Sequence, residues 1–110
     1  MAKARTYSRY STEAAALLGK QIKLGRKQCK WTEHDLADRA GISRATLQKI
    51  EKGDLTCAIG LVFEVAALVG VKLFDTENTS LAMHIERTDD KIALLPKAIH
   101  KRKKVVDDDF

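Results

Sequence analysis

The tetrad Ala40-Gly41-Ile42-Ser43 restricts the fold more than any other stretch of the chain. Before it, Thr32 leads into Leu36, Ala37 and Ala40 at helical spacing. After it, Ser43 leads into Arg44 to Lys52, with Leu47 and Ile50 one turn apart on the side to be buried. Thr32 and Ser43 are N-cap residue types, because a side-chain oxygen there accepts a backbone N–H that the first helical turn leaves unbonded. A glycine closing the first pattern takes the left-handed conformation that a Cβ disfavours. Two short helices joined this tightly must cross, with Ile42 plugging the corner.

The flanking sequence supplies helices to pack on that pair. From Ser11 a long pattern runs to near Lys30, with Ser11 or Thr12 as its N-cap. Leu18, Ile22 and Gly25 form its apolar side, and Lys20, Lys23, Arg26 and Lys27 cover the rest. Trp31 then serves as a lid on the core. Gly53 ends the third helix, and Cys57 packs at the start of a fourth over residues 58–69, which is apolar on most sides and ends at Gly70. Beyond Gly70 the period changes: Val71, Leu73 and Asp75 alternate with Lys72 and Phe74, which predicts a short strand. Leu81, Ile85, Thr88, Ile92 and Leu95 form a narrow seam on a fifth helix, which Pro96 terminates. The expected fold is all-α, with five helices, one short strand and a tail. Its parts are a basic arm over 1–10, the main domain over 11–76, a C-terminal helix over 77–96 and a charged flexible tail over 97–110.

Length and charge limit what such a fold can do. A chain of 110 residues has room for one small domain plus arms, and multi-domain enzyme architectures are excluded. Nowhere does an apolar run approach the roughly 18 residues needed to cross a bilayer, and residues 1–10 lack the apolar stretch of a secretory signal. A cytoplasmic protein without membrane contact is expected. Cys29 and Cys57 form no CxxC pair, and His34, His84 and His100 are scattered, so no metal, cofactor or disulfide is expected. Catalysis has no support either. Cys29 lacks a histidine partner, and Glu33, Asp35 and Asp38 read as complements to a helix dipole. The net charge of +5 is uneven: residues 1–30 carry 8 basic residues and 1 acidic, whereas residues 31–78 carry 5 and 8. A polyanion binder built this way must gather its positive charge on one face.

The third helix is where that face is expected. Two helices joined by the Gly41 turn, the second bearing Arg44, Thr46, Gln48 and Lys49, form a helix-turn-helix pattern. An α-helix fits the DNA major groove, and residues near its N-terminus then point at base edges. The stretch WTEHDLADRAGISRATLQKIEKGD resembles the helix-turn-helix of the Xre/Cro/phage-repressor family, over roughly residues 14–73. The resemblance implies a phage-repressor-like fold and base contacts by Arg44, Ala45, Lys49 and Gln48. It implies phosphate contacts by Ser43 and Thr46, with Thr32 and Lys27 completing the DNA-facing set. It also implies a structural ion pair between Arg26 and Glu51. One departure stands out. Where the family often has Gln after the capping Thr, this chain has Glu33, whose carboxylate would repel a phosphate.

The segments VKLFD, ALLPKAIH and KRKKVVDDDF resemble a subgroup, the HipB-like antitoxins. That resemblance implies a homodimer paired through Val71, Leu73 and Phe74, repression of its own operon through double-stranded operator DNA, and binding of a HipA-like kinase toxin. Phe110, an aromatic residue beyond three aspartates, is the expected anchor of a partner-binding tail. The alternatives are a stand-alone Xre-family regulator, or a protein-interaction module that keeps the fold without binding DNA, for which Glu33 and the acidic middle speak. An RNA-binding arm over Lys101 to Lys104 has less support, because no aromatic residues interleave with its charges.

Overall fold

The computed structural model describes residues 5–74, 80–99 and 101. They form five helices: α1 (Arg9–Gln28), α2 (Glu33–Ala40), α3 (Arg44–Glu51), α4 (Ile59–Leu68) and α5 (Leu81–Ala93). The chain divides into two units at Phe74, with α1 to α4 in the first and α5 in the second. None of the described helices is long and apolar enough to cross a membrane.

In the first unit each helix starts and stops on a local signal. Ser8 caps α1 by accepting from Ser11 N–H at 3.2 Å, so the helix begins before Ser11 and Thr12, the residues expected to cap it. Thr32 caps α2 in a reciprocal box, accepting from Asp35 N–H at 3.0 Å while the Asp35 carboxylate accepts from Thr32 N–H at 2.9 Å. Ser43 caps α3 by accepting from Thr46 N–H at 3.1 Å. At the end of α2, Gly41 has φ +70°, and the next N–H, on Ile42, reaches back to the Ala37 carbonyl at 3.0 Å. α1 ends in the same arrangement without a glycine: Lys30 has φ +63°, and Trp31 N–H reaches the Arg26 carbonyl at 3.1 Å.

The core gathers Ile22 from α1, Leu36 and Ala37 from α2, Leu47 and Ile50 from α3, and Val65, Ala66 and Val69 at the end of α4. Leu18, Trp31, Ile42, Cys57 and Val71 pack around it. A fully buried aliphatic side chain of this size contributes about 1.5–3 kcal/mol relative to exposure, so this small set is the main cohesion of the four helices. α3 packs against both α1 and α2, and α2 against α4. The α1–α3 contact is close because Gly19 sits there: a Cβ added to it would lie 2.5 Å from the Glu51 carbonyl oxygen. α4 is less enclosed than its composition suggests. Val65 and Ala66 face inward, while Ile59, Leu61 and Phe63 remain on the outside.

Among the described residues there is no β-strand, so the single chain does not show the strand expected over residues 71–75. Val71 turns back onto the core, Leu73 and Phe74 form a bend, and the Phe63 and Phe74 rings approach with centroids 6.4 Å apart. A strand exists only with a ladder partner, and a lone chain of helices offers none. Asp75 lies outside the described residues.

The second unit contains α5, capped by Ser80, which accepts from Met83 N–H at 3.2 Å. Leu81, Ile85, Ile92 and Leu95 are all exposed, and no residue of the helix is buried. The helix stops at Ala93, ahead of Pro96, whose ring disfavours helical geometry at Leu95.

Candidate nucleic-acid interface

α3 has two differently employed sides. Leu47, Ile50 and Glu51 point inward. Residues four apart on a helix lie one above the other, so Arg44 stands over Gln48 and Ala45 over Lys49, in two adjacent rows on the outside. Arg44, Ala45 and Lys49 are exposed, and Gln48 and Thr46 are half-buried. Ser43, at the mouth of the helix, is exposed and donates its hydroxyl to Thr46 Oγ1 at 3.0 Å. The first turn of α3 therefore presents hydroxyls, backbone N–H groups and Arg44 together, a combination that attracts anions.

Besides the core contacts of Leu47 and Ile50, a buried ion pair ties α3 to α1. Arg26 Nε donates to Glu51 Oε2 at 2.8 Å and Arg26 Nη2 to Glu51 Oε1 at 3.2 Å, while Arg26 Nη1 donates to the Trp31 carbonyl at 3.0 Å. Both side chains are buried. The Glu51 hydrogen bond raises the Arg26 pKa against the opposing effect of burial, so the guanidinium stays charged. Arg26 thereby ties the end of α1 to the end of α3 and is unavailable to a phosphate. Lys20, Lys23 and Lys27 on α1 and Lys30 just after it are exposed, and Lys27 is the member of this set assigned to the DNA face from the sequence.

Thr32 is exposed, with its hydroxyl engaged in the α2 cap. Beside it, Glu33 has an arrangement that helical spacing did not reveal. Its Oε1 accepts from Gln48 Nε2 at 2.9 Å and from Arg44 Nε at 3.3 Å. The Gln48 bond first, and then Arg44, hold the Glu33 carboxyl below the usual carboxylate range, so it is ionised at neutral pH. The partners are 11 and 15 residues away across the turn, a separation that no i,i+4 rule addresses. Arg39 over the Trp31 ring, 4.2 Å from the centroid, is a second contact that sequence reasoning missed.

The remaining sequence-assigned residues fall elsewhere. Val71 is half-buried against the core, and Leu73 and Phe74 are exposed. Phe110 lies outside the described residues, as do the tail residues from 102 onward. Among the described residues no group of three or more His, Cys, Asp or Glu is placed to hold a metal ion. Burial pushes the Cys57 thiol up, away from the reactive thiolate.

Comparison with known proteins agrees with this geometry. Residues 22–75 match a family model described as helix-turn-helix. An uncharacterised helix-turn-helix-type transcriptional regulator of Methanocaldococcus jannaschii is 43% identical over 44 residues, which make up 40% of this chain and 67% of that protein.

Proposed function

Because the chain belongs to the helix-turn-helix family, we propose that it is a transcriptional regulator that binds double-stranded DNA sequence-specifically, with α3 in the major groove and Arg44, Ala45, Gln48 and Lys49 toward the bases. The observation that carries this reading is the division of α3: one side is tied to α1 through Arg26 and Glu51, and the other presents Arg44, Ala45 and Lys49, with the half-buried Gln48 beside them. A fixed helix with such a polar face suits base reading, because arginine and lysine favour guanine and an alanine methyl favours the thymine methyl. Lys27 and Thr32 on the neighbouring helices, and Ser43 and Thr46 at the start of α3, stand as phosphate contacts. The alternative of an interaction module without DNA has less support, since Glu33 bonds to Arg44 and Gln48 on α3 and so has a role within the helix pair.

The finer reading is a homodimer that represses its own operon as a HipB-like antitoxin and also binds a HipA-like kinase toxin. Its support is the resemblance of the C-terminal segments, together with exposed Leu73 and Phe74 at the edge of the first unit and the exposed apolar residues of α5. One such domain reads a single half-site, so two-fold pairing supplies the second. The stand-alone regulator is the alternative within DNA binding.

A gel shift of the full chain on the DNA upstream of its own gene, with random duplex as competitor, tests the DNA reading. Retarded DNA that resists competitor supports it, and equal competition by random duplex contradicts it. Removal of residues 97–110 tests the toxin reading: operator binding should stay nearly intact while binding of a neighbouring kinase is lost, with Phe110→Ala reproducing part of the loss.

A further inference from the structure

The shared oxygen of Glu33 has a consequence for how α3 reads DNA. A carboxylate only accepts, so the Gln48 amide must turn its NH2 toward Glu33, and its orientation is thereby fixed. Arg44 is held through Nε alone, which leaves its two terminal nitrogens without a partner among the described residues. Those two nitrogens form the fork that meets the O6 and N7 atoms of guanine. The Gln48 amide likewise keeps its oxygen and a second N–H, which together match one edge of adenine. Meanwhile Glu33, the first residue of α2, keeps its negative charge with its side chain 31% exposed, so a phosphate brought beside it would be opposed.

We propose that Glu33 is a positioning and specificity-determining residue: by gathering Arg44 and Gln48 on one carboxylate oxygen it orients both for base edges and disfavours their use on the phosphate backbone. The proposal rests on the DNA-binding reading above. It assigns Glu33 two separable effects. Orientation of Arg44 and Gln48 strengthens binding to the preferred sequence. Charge weakens binding to any sequence, since a fixed anion near the backbone opposes the electrostatic attraction on which non-specific binding depends.

Two variants separate these effects. Glu33→Gln removes the charge and leaves an amide of the same length. Glu33→Asp keeps the charge and shortens the reach. The duplex to test is the one that the wild-type full chain enriches from a randomised library, compared at one fixed salt concentration with a scrambled duplex of the same composition. Glu33→Gln should bind the scrambled duplex severalfold more tightly and the selected duplex no better, because the neutral amide holds Arg44 and Gln48 less firmly and that loss offsets the gain, lowering the ratio severalfold. Glu33→Asp should bind the scrambled duplex as wild type does and the selected duplex several times more weakly. In an Arg44→Ala, Gln48→Ala background, Glu33→Asp should change the ratio by less than about twofold, because the side chains it acts through are gone. Thermal melts of each variant confirm that the folded protein is being compared.

An unchanged ratio in both single variants overturns the proposal. So does an equal fall with Glu33→Asp in the background lacking Arg44 and Gln48, which would place Glu33 in direct contact with DNA. If the wild-type chain enriches no sequence at all, the DNA-reading assignment of α3 fails, and the proposal fails with it.

Discussion

Arg26 and Glu51 meet side by side in the interior, with Nε 2.8 Å from Oε2 and Nη2 3.2 Å from Oε1, although they lie 25 residues apart in the chain. Each covers the other's charge where water cannot. Removing one partner leaves an uncompensated buried charge, which costs about 3–5 kcal/mol, whereas replacing both with apolar residues of similar volume is often neutral or better. Arg26→Met and Glu51→Leu should therefore each lower the urea midpoint sharply, and the double variant should recover most of the loss. Losses that simply add would place the stabilisation elsewhere, since residues in contact are expected to couple.

Gly41 has φ +70°, and a Cβ added there would meet nothing within 4 Å. The cost of Gly41→Ala is then conformational alone, about 1–2 kcal/mol. Gly41→Asn should cost less, because asparagine visits this conformation more readily. Denaturant unfolding of the two variants checks the order, and equal losses would point to packing rather than backbone strain.

The box at the start of α2 makes stability depend on acid pH. Bonding from Thr32, its backbone N–H first, holds the Asp35 carboxyl below the usual range. A carboxylate with a lowered folded pKa contributes stability that is present above the unfolded value of about 3.9 and is lost as pH falls through the folded value. Asp35→Asn should therefore destabilise the protein most at neutral pH, with the difference from wild type shrinking in acid. Thermal melts across that range decide it, and a difference that does not vary with pH would exclude ionised Asp35 as the stabilising form. Thr32→Ala removes the other half of the box and should cost about 0.5–2 kcal/mol.

Leu73 and Phe74 are exposed beside the core, where a second copy could supply the ladder partner that a lone chain lacks. A proline at 73 removes a ladder donor. Leu73→Pro should give a monomer by light scattering, with weak operator affinity. A variant that remains dimeric would shift the interface to other surfaces, the exposed apolar residues of α5 first among them.

The sequence announced those features whose causes are local. The Thr32 and Ser43 caps, the Gly41 turn and the inward Leu36, Leu47 and Ile50 each depend on residues within a turn or two of chain. The start of α1 was misplaced because Ser8, Ser11 and Thr12 are all capping types within one turn, and only the bond from Ser11 N–H to Ser8 selects among them. Alternation over residues 71–75 signalled a strand, but pairing is a property of two segments and cannot be read from one. Glu33 was legible as an anion out of place, and not as the partner of Arg44 and Gln48. That contact forms only once the Gly41 turn has brought the first residue of α2 against the first turn of α3.

The central claim is that α3 reads bases, and Arg44 tests it most directly. The measurement is the affinity of wild type, Arg44→Ala and Lys27→Ala for an operator duplex and for random DNA at several salt concentrations. Arg44→Ala should lose about 1–3 kcal/mol on the operator, relaxing preference at one base position, while changing random-DNA binding far less. Lys27→Ala should weaken both duplexes alike and reduce the salt slope by about one. Equal losses on operator and random DNA for Arg44→Ala would contradict base reading by α3 and leave Arg44 as a phosphate contact.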